Sequence, residues 1–305
     1  MDINTPSIFV VIVTYNGKRW YDRCLGSLRA SEVPLNIVII DNASTDDTEE
    51  YITKQYPEVI FERSDKNLGF GQGNNKGIQI ALSQGADYIF LLNQDAWIEP
   101  NTVRELINIH KANSEYGVLS PLHLNANKNS IEQLLLERID DYRITDPRLI
   151  DDLFFNRLKD VYDTKYVNAA AWLLPRKTIE TVGGFDPFFF QYGEDDNYLN
   201  RIFYHGFKVG ICPRIRIVHD CKPQRKLYDD HEAEILMMIR YTDINYSYSL
   251  EKEMIKNFRL ALTSFLRGRK KRAISCWKEY RFLKNNKHAL KNSIQVNKTI
   301  GASWL

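Results

Sequence analysis

Two runs of β-branched residues near the N-terminus constrain the fold of this chain most strongly. Ile8–Val13 and Ile37–Ile40 are uninterrupted apolar stretches. Continuous runs of this kind predict strands that are buried on both faces, as in a parallel sheet. Each run ends in a polar turn and is followed by a segment of helical periodicity, at residues 18–30 and 46–56. This alternation predicts a doubly wound α/β layer.

The alternation continues through the first hundred residues and then becomes less regular. Further strands are predicted at 58–62 and 87–92. A Gly- and Asn-rich turn that leads into a helix is predicted within 69–83, and a further helix starts at Pro100. Ser44 or Thr45 is the predicted N-cap of the 46–56 helix. In the second half, strands are predicted at 167–174, 207–212 and 215–218, with a helix at 194–205 and no assignment for 126–165. The chain reads as helical from residue 226 to about residue 290. We expect a Rossmann-like, mostly parallel sheet with a helical C-terminal extension.

A polar motif follows each strand of the first half. The motifs are Thr14-Tyr15-Asn16, Asp41-Asn42, the Asn- and Gly-rich stretch 67–75, and Asn93-Gln94-Asp95. Ligands of open α/β sheets bind in the crevice outside the carboxyl ends of the strands. We therefore expect these motifs to border one ligand cleft.

Two acidic motifs, about a hundred residues apart, suggest a reaction. Asp95 ends a buried apolar run, where a carboxylate can hold a divalent cation against a diphosphate. Glu194 and Asp195 open an amphipathic helix, where a carboxylate can take a proton from a nucleophile. Neighbours on a helix point about 100° apart, so only one of the two can face the reacting atom. Together the motifs predict transfer of a group away from a nucleotide diphosphate.

The net charge of +2 conceals a strong asymmetry along the chain. Residues 251–305 carry 14 Lys and Arg against 3 Glu, whereas the rest of the chain is acidic. A basic tail indicates a polyanionic partner, and its amphipathic stripes favour an anionic membrane surface. The alternative is a helical lid or a dimerisation element. We expect no nucleic-acid partner, because no recognised motif accompanies the charge.

Composition and cysteine usage indicate an ordinary globular protein of a reducing compartment. Apolar residues make up 44% and charged residues 26% of the 305 residues. The four cysteines form no CxxC pair, which favours free thiols. No signal peptide or membrane-spanning stretch is visible. The expected location is the cytoplasm, either free or peripheral at the inner face of the plasma membrane.

The motifs together resemble those of inverting glycosyltransferases of family two, above all bacterial rhamnosyltransferase-like members. The matching segments are 10–16, 41–48, 67–77, 91–95 and 183–195, in the expected order and spacing within residues 8–220. The resemblance implies a GT-A fold over residues 1–225, with a nucleotide-sugar half at about 1–120 and an acceptor half at about 121–225. The basic helical region 226–305 lies outside it.

The resemblance also implies roles for individual residues. Asp95, with His219, would bind Mg²⁺ or Mn²⁺; Asp195 would be the base and Glu194 would orient the acceptor. The implied nucleotide and donor contacts are Thr14, Tyr15, Asn16, Asp41, Asn42, Asn67, Asn74, Lys76, Asn93, Gln94 and Asp95. Trp172 and Tyr192 would contact the acceptor. The implied donor is dTDP-rhamnose first and a UDP-hexose second, and the acceptor is a hydroxyl of a surface glycan or polyprenyl-linked saccharide.

Other functions remain open at the level of sequence. The Gly69–Lys76 stretch is neither a Walker loop nor G-x-G-x-x-G, which argues against NAD binding, and its glycines would let the backbone approach the donor. A nucleotidyltransferase would need a basic loop after the first strand, where Thr14–Gly17 has none. A catalytically inactive glycan-binding or membrane scaffold is mildly favoured by Asn93, which stands where the family often has Asp. The sequence does not indicate an oligomeric state.

Overall fold

The computed structural model describes residues 5–139, 145–221, 230–245 and 249–305. In the first half the elements are β1 (Ile8–Thr14), α1 (Lys18–Arg29), β2 (Asn36–Asp41), α2 (Thr48–Gln55), β3 (Ile60–Arg63), α3 (Gly69–Ser83), β4 (Tyr88–Leu92), β5 (Ala96–Ile98) and α4 (Thr102–Ala112). They are followed by β6 (Tyr116–Leu124), α5 (Gln133–Ile139), α6 (Arg148–Phe154), β7 (Tyr162–Asp163), β8 (Ala171–Pro175), α7 (Arg176–Val182), α8 (Glu194–Tyr204) and β9 (Lys208–His219). Three C-terminal helices complete the fold, α9 (Asp230–Thr242), α10 (Leu250–Leu266) and α11 (Lys270–Asn297).

The strands form a single mixed sheet in the order β3-β2-β1-β4-β8-β6-β9-β5, with β7 paired to β9. The first four strands are parallel to one another, as predicted. In the second half β8 is antiparallel to β4 and β6, and β5 and β7 are antiparallel to β9. Because β1 to β4 run in one direction, their carboxyl ends meet at one edge of the sheet.

Hydrophobic cores cover both faces of the sheet. Val10 packs in one core with Cys24 and Leu25 of α1, whereas its neighbour Val11 packs in the other with Ile78 of α3. Successive residues of a strand point to opposite faces, so a strand covered on both sides must be apolar throughout. The uninterrupted apolar runs therefore reflect a sheet with helices on both sides.

Some predicted boundaries were wrong for identifiable reasons. Neither Ser44 nor Thr45 caps α2, because the Thr48 N–H at the helix start donates to Asp46 Oδ1 at 3.2 Å. Pro100 precedes the first turn of α4 instead of opening it. The two short strands at 207–218 are the single strand β9. Its pairing with β6 shifts register beside Pro121, since proline cannot donate a ladder hydrogen bond.

The C-terminal helices pack against the rest of the fold. Ser293 and Asn297 of α11 both donate to the buried carboxylate of Asp186, at 2.5 and 2.9 Å. Gly184 donates its N–H to the Ser303 carbonyl at 2.8 Å. The predicted boundary at 225/226 lies outside the described residues. Across the described ranges, no helix combines the length and apolar content needed to cross a membrane.

Candidate active site

A cavity of about 280 Å³ lies at the carboxyl ends of β1 and β4. Its lining residues come from five separate segments: Val13, Thr14, Tyr15, Asn42, Asn67, Gly69, Phe70, Asn93, Gln94, Asp95 and Gln191. Seven of the residues singled out from the sequence are among them. The strand-end motifs therefore converge, which follows from the parallel order of the strands.

Gln94 ties the ends of β1 and β4 together. Its Oε1 accepts from Thr14 Oγ1 at 2.5 Å and from the Tyr15 N–H at 3.1 Å. Tyr21 holds Thr14 from the other side, with 2.6 Å between the two hydroxyl oxygens. These contacts fix the turn that follows each strand, so this part of the cavity wall is preorganised by the protein itself.

Asp41 and Asn42 differ in their access to the cavity. Asn42 lines it, and its side chain also accepts from the Leu68 N–H and donates to the Gly69 carbonyl. Asp41 is fully buried, accepting from the Ser44 N–H at 3.2 Å and from Arg63 Nη1 at 3.1 Å. A ligand can therefore reach the Asp41 carboxylate only if the half-exposed Arg63 side chain moves away.

Two glycines of α3 bring the helix close to β1. A Cβ on Gly77 would lie 2.3 Å from Val11 Cγ1, and one on Gly73 would lie 2.8 Å from Val13 Cγ1. That the glycines of the 69–76 stretch let the backbone approach the donor stays a prediction. Gly69 does line the cavity, at φ +79. Asn74 is buried and donates to the Phe70 carbonyl of its own helix, which removes it from donor contact.

Three further predicted donor residues have different surroundings. Asn67 lines the cavity, and its Oδ1 accepts from the Gly69 N–H at 2.8 Å. Asn16 adopts φ +51 and its side chain accepts from the Thr45 N–H, so it shapes the turn and does not line the cavity. Lys76 is half-buried on α3 and is likewise absent from the lining.

Asp95 and His219 lie side by side at the cavity edge. Asp95 Oδ1 and His219 Nε2 are 3.4 Å apart, and Asn93 Nδ2 is also 3.4 Å from that nitrogen. The antiparallel pairing of β5 with β9 produces this approach, because Ala96 stands opposite His219. A carboxylate oxygen and an imidazole nitrogen at this separation suit neighbouring ligands of one divalent cation, so the donor set fits.

Two buried side chains that the sequence did not single out lie behind His219. His123, Glu132 and His219 bring one potential ligand atom each to within 4.8 Å of one another. Burial and the neighbouring His219 lower the pKa of His123 to about 3, so its ring is neutral. Among the described residues, His219 Nδ1 has no hydrogen-bond partner, and the Glu132 carboxylate lies close enough to the ring to orient it after a small movement.

Glu194 and Asp195 open α8, as predicted, but their environments differ. Burial, and then the charge of Asp195, raise the pKa of Glu194 to about 8. At neutral pH that carboxyl is therefore mostly protonated and unsuited to act as a base. Asp195 is half-buried, and its Oδ2 accepts from Tyr166 Oη at 2.8 Å. Tyr166 is a third residue, after His123 and Glu132, that the sequence gave no reason to select.

The start of α8 lies beside the N-terminal turn of α3. A Cβ on Gly71 would lie 3.8 Å from Glu194 Cβ, and one on Gly69 would clash with the Phe190 carbonyl. Gln191, a few residues before Glu194, lines the cavity. Gln191 thus brings the 188–195 segment to the cavity, whereas Glu194 lies next to α3, and neither Glu194 nor Asp195 is among the lining residues.

Of the two aromatic residues predicted to contact an acceptor, one is wrongly assigned. Trp172 is fully buried and stacks on Phe185 with 6.2 Å between ring centroids, so it belongs to the core. An apolar residue inside a strand carries no sign that separates a binding role from packing. Tyr192 is 37% exposed and adopts φ +70 just before α8.

Comparison with known proteins identifies the family. The model of glycosyl transferase family 2 matches residues 9–168, which is just over half of the chain. N-acetylglucosaminyl-diphospho-decaprenol L-rhamnosyltransferase of Mycobacterium tuberculosis is 26% identical over 242 residues, which cover 70% of this chain and 76% of that protein. O-antigen chain rhamnosyltransferase WbaN of Salmonella anatum is 25% identical over 219 residues, which cover 70% of this chain and 66% of that protein.

Solved structures agree with the expected GT-A fold. TarS 1-349 of S. aureus in complex with UDP superimposes with a TM-score of 0.53 at 14% identity, covering 96% of this chain and 90% of that one. GalNAc-T7 with UDP, GalNAc and Mn²⁺ superimposes with a TM-score of 0.57 at 17% identity, covering 83% of this chain and 52% of that one. The chain therefore belongs to glycosyl transferase family 2 and is a rhamnosyltransferase-like glycosyltransferase of GT-A fold.

Proposed function

We propose that this glycosyltransferase transfers a sugar from a dTDP- or UDP-linked donor, with rhamnose the first choice and a hexose the second. The acceptor is a hydroxyl of a saccharide on a polyprenyl diphosphate carrier or of a surface glycan. The names of the two rhamnosyltransferases support the sugar, and the decaprenol in one of them supports a lipid-linked acceptor. UDP in both similar structures supports a nucleoside diphosphate donor.

The observation that carries this proposal is the arrangement at the cavity edge. Thr14, Asn42 and Asn93 line one cavity, and Asp95 lies 3.4 Å from His219 at its rim. These residues offer polar groups for the nucleotide and oxygen and nitrogen ligands for a divalent cation. When bound there, Mg²⁺ or Mn²⁺ neutralises negative charge on the departing diphosphate. The imidazole ligand favours Mn²⁺, and Mn²⁺ accompanies UDP in GalNAc-T7.

In the proposed reaction Asp195 is the general base. Its carboxylate takes the proton of the acceptor hydroxyl while that oxygen bonds to the anomeric carbon. The bond between this carbon and the diphosphate oxygen breaks, the nucleoside diphosphate leaves, and the configuration inverts. Tyr166, donating to Asp195 Oδ2, fixes the carboxylate in position. Glu194, protonated at neutral pH, orients the acceptor as a hydrogen-bond donor.

Donor hydrolysis distinguishes this proposal from its rivals. The purified protein is incubated with dTDP-rhamnose and with UDP-hexoses, with Mn²⁺ or with EDTA, and the released phosphates are identified. We expect slow, metal-dependent release of a nucleoside diphosphate, faster when a lipid-linked saccharide is added. Release of pyrophosphate would indicate a nucleotidyltransferase. Absence of turnover with every donor would indicate a scaffold and overturn the proposal.

A further inference from the structure

The tip of the C-terminal helical hairpin exposes an unusual number of large apolar side chains. Helices α10 and α11 are joined by Arg267-Gly268-Arg269, with Gly268 at φ +69 in the turn. Around this turn the exposed apolar residues are Phe258 (44%), Leu262 (52%), Phe265 (67%), Leu266 (75%), Ile274 (56%) and Trp277 (45%). Soluble proteins rarely leave a contiguous patch of this kind open, so it marks a surface that something covers.

The patch has a definite shape between the two helices. Phe258, Ala261, Leu262, Phe265, Ile274 and Trp277 line a groove of about 310 Å³ whose exposed lining is wholly apolar. The opposite end of the hairpin is anchored to the body of the protein, where Leu283 and Leu290 pack against Tyr241. The hairpin is thus held at one end and exposes apolar side chains at the other, as expected of an element that inserts into a partner surface.

The charge of the hairpin indicates which kind of partner surface covers the apolar patch. Residues 254–278 include eight Lys and Arg and no Asp or Glu. Arg267, Arg269, Lys270, Lys271 and Arg272 are all exposed, and none forms an ion pair with another described residue. A second copy of this tip would bring like charges together. A purely polar polyanion, such as a nucleic acid, would contact the cations but would leave the apolar groove exposed to water.

We propose that the tip of the α10–α11 hairpin, residues 258–277, docks this enzyme on an anionic lipid bilayer. The apolar side chains enter the boundary between headgroups and acyl chains, and the cations of the turn contact anionic headgroups. Trp277 lies at the groove rim beside Tyr280, with ring centroids 5.3 Å apart, in the position that aromatic side chains favour at a membrane interface. This inference does not depend on the identity of the donor sugar.

Vesicle flotation of the full-length protein tests the proposal. We expect the wild type to float with vesicles of phosphatidylglycerol and phosphatidylcholine, and to remain unbound with phosphatidylcholine alone. The double variant Phe265→Glu/Leu266→Glu should lose at least about tenfold in partition, since it places charge where apolar groups must be buried. The matched control Phe154→Glu/Phe155→Glu changes a pair that is 82% and 63% exposed elsewhere, and should float like the wild type.

A charge series separates the electrostatic contribution. Each cation near an anionic surface contributes roughly fivefold to partition. Changing Lys270, Lys271 and Arg272 to Gln should therefore weaken binding strongly, whereas changing the exposed Lys54, Lys111 and Lys177 to Gln should have little effect.

Two results would overturn membrane docking. One is a wild type that ignores anionic vesicles. The other is a wild-type dimer in light scattering that Phe265→Glu/Leu266→Glu converts to a monomer with vesicle binding unchanged, which would make the patch an interface between copies. Donor hydrolysis by every variant is measured in parallel. A variant that no longer floats but still hydrolyses the donor reports on membrane docking alone. Absence of hydrolysis by the wild type would instead contradict the proposed function, so the two failures can be distinguished.

Discussion

The strand-end residues of the first half and the acidic start of α8 in the second half are held in place by different kinds of contact. Thr14 ends β1, Asn42 follows β2 and Gln94 follows β4; Thr14 donates to Gln94, and Asn42 donates to the Gly69 carbonyl at the start of α3. Asp195 depends on Tyr166 from a segment 29 residues earlier. The first arrangement follows from the repetition of βα units, whereas the second requires the antiparallel strands to bring distant segments together.

This difference suggests a division of labour between the two halves. The first half presents many neutral polar groups already bonded to the protein, which suits recognition of a nucleotide. The second half presents carboxyl groups in contrasting environments, one protonated by burial and one bonded to a tyrosine. Contrasting environments for paired carboxyl groups are typical of acid–base chemistry.

The largest expected effect tests this division directly. Asp195→Asn keeps the shape of the side chain but removes the proposed base, so we expect kcat to fall about 10²- to 10⁴-fold. Nucleotide affinity, measured by calorimetry, should stay within about twofold of wild type because the proposed nucleotide contacts lie in the other half. Asp151→Asn, on the exposed face of α6, is the control. Full activity of the Asp195 variant would place the base elsewhere.

An intermediate effect is expected where the two halves meet, at the Asp95–His219 pair. Glu132→Gln preserves size but removes the charge that would orient His219, and loss of such an outer carboxylate typically costs 10- to 100-fold in metal affinity. Binding of Mn²⁺ in the presence of nucleoside diphosphate can be followed by electron paramagnetic resonance. Glu137→Gln, exposed on α5, should leave the affinity unchanged. Equal Mn²⁺ affinities in the two variants would show that Glu132 does not contribute to metal binding.

The smallest expected effect concerns stability and pH. The folded-state pKa of Glu194, about 8, lies above its unfolded value of about 4.3, so the folded protein holds an extra proton between these limits. Stability contributed by that proton is lost as pH rises toward 8. Glu194→Gln should therefore raise Tm by about 5 °C at pH 9 and by less at pH 5. The control Glu62→Gln, at an exposed site, should show no such trend; a pH-independent difference at position 194 would contradict the assigned burial effect.

The first half of the fold was predictable because its signals are local. The Ile8–Val13 and Ile37–Ile40 runs lie within observed strands. The stretch 69–83, predicted as a turn leading into a helix, is helical throughout as α3. Strand β6 was missed because Ser120, Pro121 and His123 interrupt its apolar pattern. Proline is tolerated there by the register shift against β9, which no local pattern reports.

For the site, the sequence by itself determined which polar residues follow the strands and that Glu194 and Asp195 begin a helix. Because the parallel strands run in one direction, the polar residues that follow them lie at one edge of the sheet. Most cavity residues could therefore be named from the sequence. Only the tertiary structure decided that Trp172 is core, that Asn74 turns to its own helix, and that Arg63 covers Asp41. It also brought Tyr166 to Asp195, and His123 and Glu132 to His219. The physical reason is that a side chain's chemistry depends on burial and on partners far away in sequence, whereas periodicity records only its neighbours along the chain.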